Sequence, residues 1–220
     1  WKALRVGTAK QPVLQRRGDD VRIDWGHLLL AAPGAATLGQ PSVAPPGTLA
    51  GAFAANGLKF IHNVMTPAEM PAGALALSAL FDAGAVGAEP VSRRVLLAYD
   101  DEYSIRYFGA DLRPYWRRNG DDAAALLRKA VGDYDALARR CAAFDEALAA
   151  DLEHAGGAQY AALCVLAYRQ TFAGNKIVAD AGGLPLMFPK ENFSNGCIGT
   201  VDVLFPQAPF FLTLSPALAR

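Results

Sequence analysis

The second half of the chain repeats apolar residues at steps of three and four, a period that places them on one face of an α-helix. The stripe begins after Asp121, and its members are Leu127, Val131, Tyr134, Ala138, Cys141, Phe144, Leu148 and Leu152. Gly156 and Gly157 interrupt it, and a second stripe follows that ends near Gly174. Two helices joined by a short turn pack against each other as an antiparallel hairpin. The sequence therefore predicts a helical hairpin between Asp121 and Gly174.

Two further elements are predicted after this hairpin. Residues 176–179 and 184–188 are short apolar runs on either side of Gly182 and Gly183, a spacing typical of a small β-hairpin. The apolar segment that begins at Thr200 predicts a third helix. The second half of the chain is thus predicted to be mainly helical.

The first half contains short runs of β-branched, aromatic and aliphatic residues separated by Gly, Pro and Asp. These runs are residues 21–31, 58–64, 75–81, 93–99 and 103–108. Their spacing predicts strands of a β-sandwich. The last two, joined by Asp100, Asp101 and Glu102, predict a hairpin whose acidic tip lies in water. Residues 33–51, which include prolines at positions 33, 41, 45 and 46, predict a long loop.

The change of period divides the chain into two parts. We place the boundary within residues 112–120, where Pro114, Tyr115 and Trp116 can cover the join. The predicted fold class is therefore mixed, all-β followed by all-α. Residues 1–113 would form part of a β-sandwich domain, and residues 114–220 part of a helical domain.

Charge and composition argue against several classes of partner. The chain has 21 Lys plus Arg and 21 Asp plus Glu, so there is no net charge to attract nucleic acid. No apolar stretch is long enough to span a bilayer. The three cysteines lack a metal-type spacing, and Asp100 to Glu102 lack the spaced pattern of a calcium loop. We therefore expect no cofactor, no metal site, no nucleic acid and no membrane span.

The densest set of chemically capable side chains lies between Lys190 and Phe205. Amide hydrolysis needs an activated nucleophile, a proton donor for the leaving amine and a stabiliser of the oxyanion. The candidate acid and base are Glu191 and Asp202. Lys190 is a candidate for binding a substrate carboxylate, and Ser194 and Asn195 are candidates for donating hydrogen bonds.

The same residues could instead have structural roles. Asp202 or Thr200 could cap a helix, Asn195 could form a turn with Gly196, and Lys190 with Glu191 could be a solvated pair.

Arg169 and Gln170 extend the list of candidates. They lie late in the second predicted helix, where they could bind a carboxylate or could instead cap the helix or join two helices. The histidines, His27, His62 and His154, have no triad spacing, and Cys197 has no basic neighbour. Neither class of residue therefore indicates a nucleophilic site.

Several motifs together resemble one family. They are Arg-Ile-Asp-Trp-Gly at residues 22–26, Leu-Ala-Tyr-Asp-Asp at 97–101, Pro-Tyr-Trp at 114–116, Ala-Tyr-Arg-Gln at 167–170 and the stretch 190–202. In order and spacing they are similar to the glutaminase A family of fungi and bacteria. The resemblance implies a β-sandwich domain followed by an (α/α)6 toroid like that of six-hairpin glycosidases. It also implies that this chain is a fragment that holds only the first helical hairpins.

The resemblance also implies a function. It implies an extracellular or periplasmic hydrolase that converts glutamine to glutamate and ammonia, with the remainder of the parent chain as its partner. The fragment alone is expected to be inactive, because most of the toroid is missing.

Two alternatives remain beside this function. One is a glycoside hydrolase on the same architecture, which sets two carboxylates across a glycosidic bond. The other is a carbohydrate-binding or packing module without catalysis. The substrate is accordingly expected to be a small molecule or a glycan.

Overall fold

The computed structural model describes residues 2–15, 23–33, 42–57, 70–190 and 196–219. The chain divides into two compact units, the first made of residues 1–11 and 25–101 and the second of residues 12–24 and 102–220. β strands come first and helices dominate the later part, so the predicted mixed β and α fold class is confirmed. The domain boundary between residues 113 and 114 stays a prediction.

The first unit is built on a three-stranded antiparallel sheet with β2 at its centre. Its elements are β1 (Lys2–Val6), β2 (His27–Ala32), β3 (Ser42–Ala44), α1 (Pro46–Asn56), β4 (Ala76–Ser78) and β5 (Leu96–Asp100). β2 pairs with β1 on one side and with β5 on the other, and every residue of β2 except Leu28 is buried. The apolar residues of β2 are therefore the centre of this unit.

The predicted hairpin around the acidic residues is wrong. β5 pairs with β2, and the next strand pairs with its own downstream neighbour instead of with β5. The predicted solvated tip is also wrong, because Asp100 and Asp101 are only 4% and 0% exposed. The indole Nε1 of Trp25 donates a hydrogen bond of 2.8 Å to the carbonyl oxygen of Asp101, which holds this segment inside the first unit.

The proline-rich segment is more ordered than predicted. The sequence predicts one long loop over residues 33–51, but β3 lies within this range and α1 begins within it. Proline is compatible with the start of a helix because the first N–H groups have no partner there, and Pro46 occupies that position. Leu49 of α1 is buried against Ala44 of β3, which gives the helix its packing contact. The predicted strand at residues 58–64 lies outside the described residues.

The second unit contains two short β-hairpins that share a core. β6 (Ile105–Tyr107) pairs with β7 (Ala110–Leu112), and β8 (Asn175–Ala179) pairs with β9 (Pro185–Pro189). The second of these confirms the hairpin predicted around Gly182 and Gly183. Their buried apolar residues form one cluster, which consists of Ile105, Leu112, Val178 and Phe188. This cluster anchors the strands that lead to the predicted site.

The long helix α2 (Ala123–Ala173) folds back on itself at Gly157. Gly157 has φ 81° and ψ 173°, which are not helical angles, and it separates two helical arms. The rings of Phe144 on the first arm and Tyr168 on the second lie 5.7 Å apart, so the arms run antiparallel. The Asp122 side chain caps the start by accepting a hydrogen bond from the N–H of Ala125. The predicted helical hairpin and its end near Gly174 are confirmed.

The third helix, α3 (Val201–Leu214), begins where the sequence predicted it. It packs on the second arm of α2 through aromatic side chains, since Phe211 lies 5.1 Å from Phe172 and Phe210 lies 6.2 Å from Tyr168 between ring centroids. Phe211 is 1% exposed. Among the helices of the described residues, none combines the length and the apolar composition that a membrane crossing needs.

Replacing Gly157 by Ala is expected to destabilise the helical hairpin by about 1–3 kcal/mol, because these angles are accessible almost only to glycine. An added Cβ meets nothing within 4 Å, so the cost is one of backbone conformation alone. Urea unfolding followed by the helical circular dichroism signal measures it. The matched control is Gly132→Ala inside the first arm, where Cβ also meets nothing and stability should rise by about 1 kcal/mol. Equal stability of the two variants would contradict the role given to Gly157.

Candidate functional site

The two ends of the predicted site stretch are fixed by main-chain hydrogen bonds. Lys190 forms an antiparallel bridge with Ile198, and the N–H of Lys190 donates to the carbonyl of Gly174 at 3.0 Å. The N–H of Gly199 donates to the carbonyl of Pro189 at 2.9 Å. Lys190 and Ile198, the two ends of this segment, therefore lie together at the base of the β8–β9 hairpin, beside the end of α2. Three predicted site residues, Glu191, Ser194 and Asn195, lie outside the described residues.

Asp202 lies in the first turn of α3, where a carboxylate interacts favourably with the helix N-terminus. The N-cap position belongs to Thr200, whose side chain makes no capping hydrogen bond. Within the described residues, the exposed Asp202 carboxylate has no hydrogen bond or ion pair.

Arg169 and Gln170 lie close to the C-terminal end of α2, and both are exposed. The carbonyl of Gln170 accepts a 2.9 Å hydrogen bond from the N–H of Gly174, which ends the helix. Neither side chain caps α2 or bonds another helix in the described part of the chain. The structure thus gives no support to the capping alternative for these two side chains.

The end of α2 is where the elements of the predicted site meet. Arg169 and Gln170 lie close to its end, and the N–H of Lys190 is bonded to the carbonyl of Gly174 directly after it. α3, which carries Asp202, is joined to the same place by the side chain of Asn175. The structure therefore brings together the elements that hold four of the seven predicted site residues, all in the second unit.

Asn175 was not among the predicted residues. Its Nδ2 donates to the carbonyl of Thr171 at 2.5 Å and to Oε1 of Gln207 at 3.0 Å. The sequence offered only a weak signal, an Asn directly after the glycine that ends a helix. The bond to Gln207 joins residues 32 positions apart and has no local pattern.

An apolar groove of about 250 Å³ lies between the two arms of α2 and α3. Its lining includes Leu148, Leu152, Tyr160, Cys164, Tyr168 and Phe210. A hydrogen bond with Cys164 raises the pKa of Tyr160, and burial raises the pKa of Tyr168, so both phenols stay protonated at neutral pH. None of the described residues that line the groove is Asp, Glu, Lys, Arg or His, so the groove offers neither a carboxylate nor an amine for hydrolysis.

Two further observations concern His27 and possible metal ligands. His27 is 4% exposed, and its Nε2 lies 2.7 Å from Nη2 of Arg5. Across the described residues, no three His, Cys, Asp or Glu side chains come together in a way that could hold a metal ion.

Comparison with known families covers most of the chain. A family model described as a domain of unknown function (DUF5127) matches residues 1–151, and one described as the glutaminase A six helical-hairpin domain matches residues 157–220. The two matches meet close to Gly157, the turn of the helical hairpin.

Two fungal proteins are similar to part of the chain. Glutaminase A of Aspergillus oryzae is 33% identical over 120 residues, which are 54% of this chain and 17% of that protein. A protein of Arthroderma benhamiae named "Probable glutaminase/05536" is 31% identical over 105 residues, which are 48% of this chain and 12% of that protein. The chain thus spans less than a fifth of the length of either relative. No solved structure matches it.

Proposed function

Because the chain belongs to the glutaminase A-like family, we propose that it forms part of a hydrolase that converts glutamine to glutamate and ammonia. Both relatives are named as glutaminases, which supports this substrate. We place the parent protein outside the cytoplasm, in the extracellular or periplasmic space, as the family resemblance implies.

One feature of the structure supports the proposal most. The end of α2, the Lys190–Ile198 junction and the start of α3 meet in the second unit. The first two elements each supply a cationic side chain, Arg169 and Lys190, and the third supplies the carboxylate of Asp202. This set suits an amino acid substrate, which carries a carboxylate and a hydrolysable amide. Substrate positioning on packed secondary structure is also more precise than on loops alone.

We assign each candidate residue a role from the requirements of amide hydrolysis. Asp202 or Glu191 activates the attacking water and then protonates the leaving ammonia. Lys190 and Arg169 bind the substrate carboxylate, and the guanidinium of Arg169 can do so with two parallel hydrogen bonds. Gln170, Ser194 and Asn195 donate or accept hydrogen bonds at the amide, where an oxyanion develops during attack.

Replacing Asp202 by Asn in the full-length parent is expected to lower kcat for ammonia release about 10²–10⁴-fold, because the amide cannot take up or release the proton. An enzyme-coupled ammonia assay with glutamine measures the change. The matched control is Asp151→Asn, at an exposed aspartate of α2 outside the proposed site, which should leave kcat unchanged.

Two results would contradict the proposal. Full activity of both the Asp202→Asn and the Glu191→Gln variants would contradict the site assignment, because neither candidate carboxylate would then be needed. Release of sugar from a glycan panel, without release of ammonia from glutamine, would replace the glutaminase function by that of a glycoside hydrolase.

A further inference from the structure

The side chain of Asn175 connects three elements of the second unit. It belongs to the first residue of β8, and its Nδ2 donates to the carbonyl of Thr171 in α2 and to Oε1 of Gln207 in α3. Thr171 is 9% exposed, and both of these bonds are partly buried. One amide group therefore fixes α2, β8 and α3 relative to one another.

The elements that Asn175 connects are those of the proposed site. Asn175 pairs with Pro189 in the β8–β9 hairpin, and Lys190 follows Pro189 directly. Gln207 lies on α3, five positions after Asp202. A shift of α3 against β9 would therefore move the Asp202 carboxylate relative to the Lys190 ammonium.

Two side-chain oxygen atoms of the second unit, Oδ1 of Asn175 and Oγ1 of Thr200, are buried without a hydrogen-bond partner in the described structure. Leaving a buried polar atom without a partner is costly, so such atoms in native proteins call for an explanation. Apolar packing alone therefore does not explain the amide of Asn175, whose contribution is the two hydrogen bonds that Nδ2 donates.

We propose that Asn175 is a positioning residue for the site, and that with Gln207 it holds Asp202 in place relative to Lys190. This proposal rests on the hydrolytic function proposed above. Catalysis is sensitive to displacements of about 1 Å, which can cost about a hundredfold in rate. Loss of the Asn175–Gln207 bond should therefore affect turnover more than substrate binding.

The test compares variants that keep or remove the acceptor for Asn175. Gln207→Glu keeps an acceptor oxygen, whereas Gln207→Leu removes it at similar size, and Asn175→Ala removes both of its donated bonds. Steady-state kinetics of ammonia release by the full-length parent should show kcat lowered about 10–100-fold in Asn175→Ala and Gln207→Leu, with KM changed less than about threefold. Gln207→Glu should retain most of the wild-type kcat.

Asn119→Ala is the matched control, because Asn119 is exposed in a turn outside the site and its loss should leave kcat unchanged. Equal loss of kcat in Gln207→Glu and Gln207→Leu would overturn the proposal, and so would a change confined to KM.

A second measurement does not depend on activity. Hydrogen exchange of the amides of residues 196–203 should be faster in the Asn175→Ala and Gln207→Leu variants of the 220-residue chain than in the unmodified chain and in Asn119→Ala. Unchanged exchange would overturn the positioning role. A parent that releases no ammonia would instead contradict the proposed function, and the exchange result would still decide whether Asn175 fixes α3.

Discussion

Replacing Phe211 by Ala should lower the free energy of unfolding of the helical unit by about 3–5 kcal/mol. Phe211 is 1% exposed, and its ring lies 5.1 Å from that of Phe172. The substitution removes apolar area from the contact between α2 and α3 and leaves a cavity that the surrounding helices fill only partly. Aromatic pairs of this kind also add an attraction beyond their buried area.

The matched control lies on the same helix. Phe205 is 79% exposed, so Phe205→Ala should change the free energy of unfolding by no more than about 0.5 kcal/mol. Urea unfolding followed by far-ultraviolet circular dichroism suits both variants, because α2 and α3 lie in the second unit and supply most of the helical signal. Similar losses for the two variants would show that Phe211 is not part of the core of this unit.

The helical hairpin could be predicted because its signals are local. Apolar residues three and four positions apart define each arm, and Gly157 interrupts the period at the residue where the chain turns. The β8–β9 hairpin was predicted for the same reason, since its two runs flank a pair of glycines. Patterns of this kind depend only on neighbouring residues.

The pairing of β5 could not be predicted in this way. β5 is close in sequence to β6, but it pairs with β2, about 70 positions earlier, as in Leu29 with Ala98. The choice of partner depends on which strands can cover the apolar face of β2, and that is a property of the whole unit. The sequence does not indicate α1 for a different reason, because prolines that begin a helix also occur in loops.

The site was predictable only in part. Lys190 and Asp202 are close in sequence, and proximity to Arg169 and Gln170 follows once α2 is known to end just before β8. The connection through Asn175 and Gln207 depends on how α3 packs, which no spacing in the sequence indicates. The catalytic roles of all these residues stay predictions.

Replacing Gly26 by Ala should destabilise the first unit by about 2–5 kcal/mol, through backbone strain and overpacking together. Gly26 has φ 110°, which L-residues rarely adopt. A Cβ at this position would lie 2.6 Å from the carbonyl oxygen of Asp100 and 3.0 Å from Cα of Asp101. Both obstacles are main-chain atoms, so no side-chain rotation can relieve them.

Fluorescence of Trp25 can report unfolding of this unit, provided that the other two tryptophans are replaced by Phe in the background. The control is Gly51→Ala in α1, where Cβ meets nothing within 4 Å and stability should rise by about 1 kcal/mol. A Gly26→Ala variant as stable as this control would contradict the close approach of the two segments. The expected loss of stability in Gly26→Ala would show that Asp100 and Asp101 can be buried because Gly26 has no side chain. This close approach explains why an acidic segment that predicts a solvated tip lies inside the unit.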